Sequence, residues 1–437
     1  MIAWPDPQPG SDILSKKSYS TMNVWIVFVG ETLPMDAATR LWRYGMLAEI
    51  LSARGHHVTR WAPTFNHSYK KQRYSKDYTY QVGENYKIEL IYNRGYKSNI
   101  GFQRLTSYMQ LASSFKRRIR KENPPDIIIS GMPSPWLCSV AIEYGQQKNI
   151  PVIIDVRDLW PDIFLDVFPY KLRYFAKAVL SPLFAANRNI FRRGTAIYGV
   201  SKSYLEWGIK YSKRERIEGV DRVFPIGYKE ILLTDQQVQS EKEWLKNRGV
   251  DPTKVICCYF GQMESTYDVE TIIEAGNVLK CLDECQVQFV LCGQGSKMTS
   301  LLNLSRELDN VLLLGWVSPA TLNVLMRMAS IGLVSYARNA PQSLPNKPFE
   351  YFSGGLPVLS NLNGELEEIL SEYDCGFTYG AGDVRGLVDA IVALKNSPKR
   401  RKQMSKNARC LFEKKYSSDK IYPAMADHLE ELVYEKI

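Results

Sequence analysis

Short apolar runs rich in β-branched residues alternate with amphipathic stretches along the first half of the chain. Between the first two runs, residues 37–54 place Leu41, Tyr44 and Leu47 on one helical face, and Gly55 follows as a stop signal. The runs predicted to be strands are residues 24–29, 57–61, 88–92, 126–130, 152–156 and 196–200. Such alternation of strand and helix is typical of parallel βαβ units.

The second half of the chain repeats this pattern after a polar, charged stretch at residues 234–248. The strands predicted there are residues 255–260, 287–292, 311–314, 331–335, 357–360 and 376–379, and residues 417–433 predict a last helix. We therefore expect an α/β fold of two Rossmann-like domains facing across a cleft, with ligands at the carboxyl ends of both sheets. The predicted parts are a flexible leader (1–21), an N-terminal domain (22–225), a C-terminal domain (226–415) and a helix (416–437) that packs back toward the N-terminal domain.

Composition and net charge limit the kinds of ligand that we expect this protein to bind. Lys and Arg outnumber Asp and Glu by 56 to 46, a net charge of +10 that favours anionic ligands such as nucleotides, phosphates or acidic lipid. The eight cysteines are scattered, several of them in apolar runs, which predicts free thiols in a reducing compartment. Cys281 and Cys285 have no partner at zinc-ligand spacing, so we expect no metal site. No apolar run is long enough to span a bilayer.

Three predicted strands of the second half end in glycine, where backbone N–H groups can approach a phosphate closely. The first ends at Gly261 followed by Gln262, and the second ends at Gly293. The third runs into Trp316 and Val317, whose backbone could face a nucleobase. Each pattern is also compatible with an ordinary tight turn, with Trp316 as a packing residue.

The segment 342–358 carries the strongest candidate chemistry. Its Pro- and Gly-punctuated loop opens a short helix that bears Lys347 and Glu350 and ends at Gly354. A loop of this kind offers N–H donors to a diphosphate, Lys347 adds a positive charge, and a carboxylate one turn in can accept both hydroxyls of a ribose. The alternative is an exposed i,i+3 ion pair that contributes only about 0.2–0.5 kcal/mol.

Residues 345–358 resemble the signature of family 4 glycosyltransferases, the retaining enzymes of the GT-B fold. Residues 154–161 (Ile-Asp-Val-Arg-Asp-Leu-Trp-Pro) are similar to a strand-end motif in the branch that assembles bacterial surface polysaccharides. The resemblance extends from about residue 23 to the end, and makes the N-terminal domain the acceptor domain and the C-terminal domain the nucleotide-sugar domain. It implies that Glu350 binds the donor ribose, while Gln342, Ser343 and Leu344 contact the transferred sugar.

On this reading Gly261 and Lys347 contact the diphosphate, Gln262 and Gly293 also belong to the donor site, and Trp316 and Val317 contact the base. Two departures from the family stand out. Gln342 occupies the position of a family glutamate, and residues 262–268 lack the Arg and Lys that usually neutralise the diphosphate. We therefore expect Lys347 or backbone dipoles to carry more of the charge stabilisation.

On the acceptor side the candidates are Arg157, Asp158, Gly30 and Glu31. Asp158 can orient the acceptor or accept its proton, and Arg157 can pair with a phosphate on either substrate. Alternatively, Asp158 caps the helix that follows it. Gly30 and Glu31 directly follow the first strand.

The resemblance implies a metal-independent, retaining transfer from a nucleotide-diphosphate sugar, most simply a UDP-sugar, without a further cofactor. The expected acceptor is a saccharide or a polyprenyl-diphosphate-linked saccharide of an O-antigen, capsule or exopolysaccharide. Two other readings stay open: a catalytically weak GT-B subunit that assists a partner transferase, and a nucleotide-sugar epimerase. No basic and aromatic motif predicts nucleic-acid binding.

Two stretches predict either membrane contact or ordinary packing. Residues 102–121 combine an apolar face with five basic residues at its end, and residues 170–193 are basic and aromatic. Such helices can lie on an anionic bilayer or pack on a sheet with cations at their C-termini. We expect a cytoplasmic protein; peripheral contact with the inner face of the plasma membrane is the alternative to ordinary packing of these helices.

Overall fold

The computed structural model describes residues 20–36, 40–98, 101–165, 168–338, 340 and 344–435. Most of the predicted leader (1–19), and Gln342 and Ser343 of the predicted site, lie outside these ranges. Within them the chain forms two mainly parallel sheets, each with helices on both faces.

The N-terminal sheet has eight strands. They are β1 (Asn23–Val27), β2 (His57–Pro63), β5 (Tyr78–Gly83), β6 (Tyr86–Ile91), β7 (Ile127–Gly131), β8 (Val152–Val156), β9 (Ala196–Gly199) and β10 (Arg222–Val223), with a separate hairpin of β3 (Phe65–Asn66) and β4 (Lys71–Gln72). Their order is β10-β9-β8-β7-β1-β2-β6-β5, and β5 alone of these runs antiparallel to its neighbour. The helices are α1 (Arg43–Ala53), α2 (Phe102–Arg118), α3 (Pro135–Lys148), α4 (Asp162–Leu165), α5 (Arg173–Val179), α6 (Ser181–Arg193) and α7 (Lys202–Ser212).

Side chains of β1 show why the strand is apolar on both faces. Val24 and Ile26 belong to the core on one side of the sheet, and Trp25 and Val27 belong to the core on the other side. Successive strand residues point to opposite faces, so a strand covered by helices on both sides must be apolar throughout.

The C-terminal sheet has six parallel strands in the order β13-β12-β11-β14-β15-β16. They are β11 (Val255–Gln262), β12 (Val287–Gln294), β13 (Val311–Gly315), β14 (Ile331–Val334), β15 (Val358–Ser360) and β16 (Gly376–Thr378). The helices are α8 (Asp235–Lys246), α9 (Val269–Cys281), α10 (Met298–Leu304), α11 (Pro319–Met328), α12 (Lys347–Ser353), α13 (Glu365–Glu372), α14 (Val384–Asn396), α15 (Pro398–Leu411) and α16 (Ser418–Tyr434). Strand order reverses between β11 and β14, which opens a crevice at their carboxyl ends.

Every predicted strand is present, with ends within two residues of the prediction. The predicted helix 37–54 is wrong at its start, because α1 begins at Arg43. The carboxylate of Glu31 accepts the backbone N–H of Tyr44 (3.1 Å), and this contact fixes the first turn of α1. The polar stretch 234–248 contains α8, whose start is set by a capping box between Thr234 and Gln237. Within the described ranges, no helix is both long enough and apolar enough to cross a membrane.

The last helix, α16, packs against α1 of the N-terminal half. Its side chains Ile421, Tyr422, Met425 and Leu429 belong to the same apolar core as β1 and β2. Polar contacts join the two parts as well, since His428 on α16 lies 2.7 Å from the hydroxyl of Tyr198 on β9. The described C-terminal helix is therefore part of the N-terminal core.

Candidate active site

Two glycines form the floor of the crevice at the carboxyl ends of β11 and β12. Gly261 and Gly293 pair in register, with φ of +146° and +153°. A Cβ on Gly293 would lie 1.8 Å from the carbonyl oxygen of Gly261, so no other residue fits there. Gln262 follows with an exposed side chain, and its carbonyl accepts a hydrogen bond from the Tyr259 hydroxyl (3.0 Å).

The side chain of Lys347 extends from α12 to this glycine floor. A Cβ on Gly261 would lie 2.5 Å from Cε of Lys347. Only a glycine at position 261 therefore leaves space for the lysine side chain. The ammonium donates a hydrogen bond to the Tyr259 hydroxyl (3.0 Å) and lies 4.0 Å from the ring centroid of Tyr267. Lys347 and Gly261, 86 positions apart in sequence, are thus in direct contact.

Burial and charge set the ionisation of the two predicted donor-site groups. Burial lowers the pKa of Lys347 to about 7, partly offset by the nearby charge of Glu350. Burial raises the pKa of the Glu350 carboxyl, and the cation of Arg40 opposes this rise. The alternative of an exposed Lys347–Glu350 ion pair is wrong, because Lys347 is buried and bonds to Tyr259 while Glu350 faces Arg40.

Glu350 points toward the N-terminal half. Its Oε1 lies 3.5 Å from Nη1 of Arg40, and the Glu350 side chain is 18% exposed. The Arg40 guanidinium stacks over the ring of Tyr228, 4.2 Å from the centroid, in the segment that joins the two halves. The Glu350 carboxylate therefore lies between the two domains, with an N-terminal cation beside it.

The remaining donor-side candidates are spread around the crevice. Trp316 is 68% exposed beyond the edge strand β13. The side chain of Val317 is buried in the core, so only its backbone is able to face a ligand. Leu344 is partly buried against the same core. Sugar contacts by Gln342 and Ser343 stay predictions, since both residues lie outside the described ranges.

Glu31 and Arg157 form one buried group on the N-terminal side. Arg157 donates to Oε1 of Glu31 (2.5 Å), and the Arg60 guanidinium lies 3.2 Å from Oε2. The Arg157 cation also stacks over the rings of Phe28 (4.8 Å) and Tyr44 (5.2 Å). The Glu31 carboxylate is fully engaged, so its most direct effect is to position Arg157.

Gly30, which precedes Glu31, is partly buried beside the ring of Phe28. Contacts of Gly30 and Glu31 with an acceptor stay predictions.

Asp158 lies just beyond the end of β8. Its Oδ1 accepts the N–H of Leu159 (2.9 Å), whereas α4 begins only at Asp162, so the carboxylate does not cap that helix. Burial raises the pKa of Asp158, and the Leu159 N–H and the cations of Arg104 and Arg157 partly oppose this. A partly buried carboxyl at this strand end is suited to hold an acceptor hydroxyl or to accept its proton.

Neither Arg40 nor the tyrosines around Lys347 can be recognised as site residues from the sequence pattern. Helical periodicity places Arg40 in the predicted helix 37–54, whereas it lies in the segment before α1 and contacts Glu350 of the other domain. Tyr259 is a buried residue of β11, and strand periodicity alone does not distinguish it from an ordinary core residue.

The sequence pattern does not indicate the role of Glu365 either. Its carboxylate accepts the backbone N–H groups of Lys202 (2.9 Å) and Ser203 (3.3 Å), which joins α13 to α7 across the domains.

The described residues contain possible metal ligands and all eight cysteines. Within the described ranges no three His, Cys, Asp or Glu side chains converge in a way suited to a metal ion. All eight cysteines are free thiols, and five of them are buried.

Comparison with known proteins identifies both halves. Residues 45–221 match the family model "Glycosyltransferase Family 4", and residues 240–410 match "Glycosyl transferases group 1". The chain is 22% identical over 179 residues to N-acetyl-alpha-D-glucosaminyl L-malate synthase of Bacillus anthracis, covering 40% of this chain and 45% of that protein. The alignment thus spans less than half of the relative's length.

Solved structures share the architecture over nearly the whole chain. Sucrose-phosphate synthase from Thermosynechococcus elongatus superposes with a TM-score of 0.69 at 16% identity, over 94% of this chain and 99% of that chain. HepE of Anabaena, in complex with UDP-glucose, superposes with a TM-score of 0.62 at 14% identity, over 94% and 100%. At these identities the likeness establishes the fold, two Rossmann-like domains of the GT-B type.

Proposed function

Because the chain belongs to the glycosyltransferases of family 4 and group 1, we propose that it transfers a sugar, with retention, from a nucleotide-diphosphate sugar. The proposed donor is a UDP-sugar, since HepE binds UDP-glucose in a similar fold. The proposed acceptor is a lipid-linked saccharide or a related saccharide of a surface polysaccharide. The motif at residues 154–161 supports that assignment.

The observation that carries the proposal is the convergence of Gly261, Gly293, Lys347 and Glu350 on one crevice. The two glycines leave the backbone open, Lys347 supplies a cation beside them, and Glu350 lies between the domains. An open backbone with a nearby cation suits a diphosphate, and a carboxylate suits paired ribose hydroxyls. We assign the base to Trp316 and Val317, and the sugar to Gln342, Ser343 and Leu344.

In the proposed reaction the bond between the anomeric carbon and the phosphate oxygen breaks. The acceptor hydroxyl oxygen bonds to the same face of that carbon, and its proton passes to the departing diphosphate. Lys347 stabilises the negative charge that develops on the diphosphate, and no protein nucleophile or further cofactor takes part. On the opposite side Arg157, held by Glu31, orients the acceptor, and Asp158 holds its hydroxyl.

Replacing Glu350 with alanine is expected to weaken nucleotide-sugar binding by about tenfold or more, because a hydrogen bond to a charged group contributes about 1.5–3 kcal/mol. Titration calorimetry with a panel of nucleotide sugars measures the change. Glu368→Gln is the matched control, since Glu368 is an exposed carboxylate in the same domain. Unchanged donor affinity in the Glu350 variant, with the fold intact, would remove the ribose assignment.

Donor affinity is expected to depend on pH through Lys347. With a pKa of about 7 in the free protein, Lys347 is protonated below that pH and neutral above it. A diphosphate favours the protonated form, so affinity should fall by about tenfold between pH 6.5 and 8.5. An intact nucleotide sugar is the probe, because its diphosphate diester does not titrate in this range. Lys347→Met should bind more weakly with little pH dependence, and a flat wild-type profile would contradict the role of Lys347.

A second candidate function, a binding subunit that assists another transferase, is motivated by residues 262–268, which carry neither Arg nor Lys. Such a subunit would bind the nucleotide sugar at the same donor site but would not transfer the sugar itself. Purified protein that binds nucleotide sugars without transferring or slowly hydrolysing them would favour this candidate.

A further inference from the structure

Helix α5 and the residues just before it expose an unusual amount of apolar surface. Five large apolar side chains, which we name the α5 surface, are exposed by the following fractions: Phe168 41%, Leu172 52%, Tyr174 88%, Phe175 70% and Val179 62%. Within α5 only Ala176 is buried. An apolar patch of this kind on a soluble domain usually marks a contact with another surface.

The charged residues of the segment that carries this surface have one sign. Residues 168–193 contain six basic residues and no Asp or Glu. Lys171 and Lys177 are exposed and alternate with the apolar side chains. On the following helix, Arg188 and Arg192 line a pocket of about 250 Å³ together with Lys213. The segment thus combines exposed aromatic side chains with several basic residues.

The other basic stretch, α2 and the turn after it, exposes only two large apolar side chains, Phe102 (79%) and Met109 (52%), and packs its opposite face on the sheet. Its residues Phe115 and Ile119 are buried in the core. Two of the five cations at its end are engaged by carboxylates: Lys116 contacts Glu143 (2.7 Å) and Arg118 contacts Glu89 (2.8 Å). Of the two stretches considered in the sequence, this one packs on the sheet.

We propose that the α5 surface docks the protein on an anionic lipid bilayer, with Tyr174 and Phe175 inserted at the headgroup level and the surrounding Lys and Arg over acidic lipids. Helices that lie in a membrane interface have aromatic and aliphatic groups on one side and basic groups beside them. Each basic residue near such a surface adds attraction that depends on acidic lipid. A second copy of the chain fits less well, because two α5 surfaces would bring equal positive charges together.

This docking deepens the proposed function and rests on it for the acceptor. The segment that leads to α5 starts at the carboxyl end of β8, where Asp158 and α4 lie. Contact between α4 and α5 links the docked surface to that edge of the sheet. A lipid-linked acceptor in the bilayer would therefore approach the acceptor side of the crevice.

The test is co-sedimentation of the full chain with vesicles of phosphatidylcholine alone and of phosphatidylcholine mixed with phosphatidylglycerol. We expect binding to the mixed vesicles only. The double variant Tyr174→Ser/Phe175→Ser should lower the partition coefficient by about tenfold or more. The double variant Lys171→Gln/Lys177→Gln should lower it as well and reduce its dependence on acidic lipid.

Matched controls change equally exposed residues elsewhere: Leu232→Ser, at a residue 92% exposed, and Lys399→Gln/Lys402→Gln on α15. Both should bind vesicles like the wild type. Equal losses in controls and α5 variants, or undiminished binding of the α5 variants, would overturn the proposal. So would a dimer, seen by analytical ultracentrifugation, that Tyr174→Ser/Phe175→Ser dissociates. Donor titration of the same variants reports separately on the proposed transferase function, since vesicle binding needs neither substrate.

Discussion

Replacing Asp155 with alanine is expected to lower the free energy of unfolding by about 3–5 kcal/mol, because it leaves a buried guanidinium without its counter-ion. Asp155 and Arg43 are both fully buried, and the carboxylate accepts from Nε of Arg43 (2.7 Å), from its Nη2 (3.0 Å) and from the Tyr44 hydroxyl (2.7 Å). The same guanidinium donates to the carbonyl of Phe224 (2.7 Å) at the start of the inter-domain segment.

Urea unfolding of Asp155→Ala measures this loss. Asp389→Ala, which breaks an exposed ion pair with Arg385 on α14, is the control and should change stability by no more than about 0.5 kcal/mol. The double variant Arg43→Met/Asp155→Leu should recover much of the loss, because no charge is then buried alone. Wild-type stability in Asp155→Ala would show that the pair is not a structural anchor.

Replacing Gly293 with alanine is expected to lower the free energy of unfolding by about 3–5 kcal/mol and to abolish donor binding. The new Cβ would lie 1.8 Å from the Gly261 oxygen, at a φ of +153°, so β11 and β12 must separate where the diphosphate is proposed to bind.

Gly315→Ala separates backbone strain from this clash. Gly315 has φ of +70° and nothing within 4 Å of its Cβ position, so the substitution should lower stability by about 1–2 kcal/mol through strain alone. Thermal unfolding and donor titration of both variants provide the comparison. If Gly293→Ala binds the donor as the wild type does, the glycine floor is not part of the site.

The sequence predicted the strands well because parallel strands covered on both faces are continuous apolar runs. It predicted less where polar contacts decide the structure. Strand β5 carries alternating exposed residues at the edge of its sheet and was missed, and the start of α1 depends on Glu31, which is distant in sequence. Both depend on which groups meet in the folded chain.

At the site, local pattern and resemblance predicted Gly261, Gly293, Lys347 and Glu350, but not how they interact. The partner of Glu350 is Arg40, on the other domain, and the partner of Lys347 is Tyr259, on another element. The motif at residues 154–161 has a divided role: Asp155 is a buried anchor, while Arg157 and Asp158 lie at the strand end. Periodicity alone does not separate these two uses of charged residues.

The position of α16 also affects how the chain folds during synthesis. Strands β1 and β2 and helix α1 emerge from the ribosome long before α16 is synthesised. Residues Tyr422, Met425 and Leu429 of α16 complete the core that these three elements form. Until then the nascent N-terminal half exposes an apolar groove that chaperones or neighbouring chains are able to occupy. Translation order thus delays completion of the first domain until the second has been made.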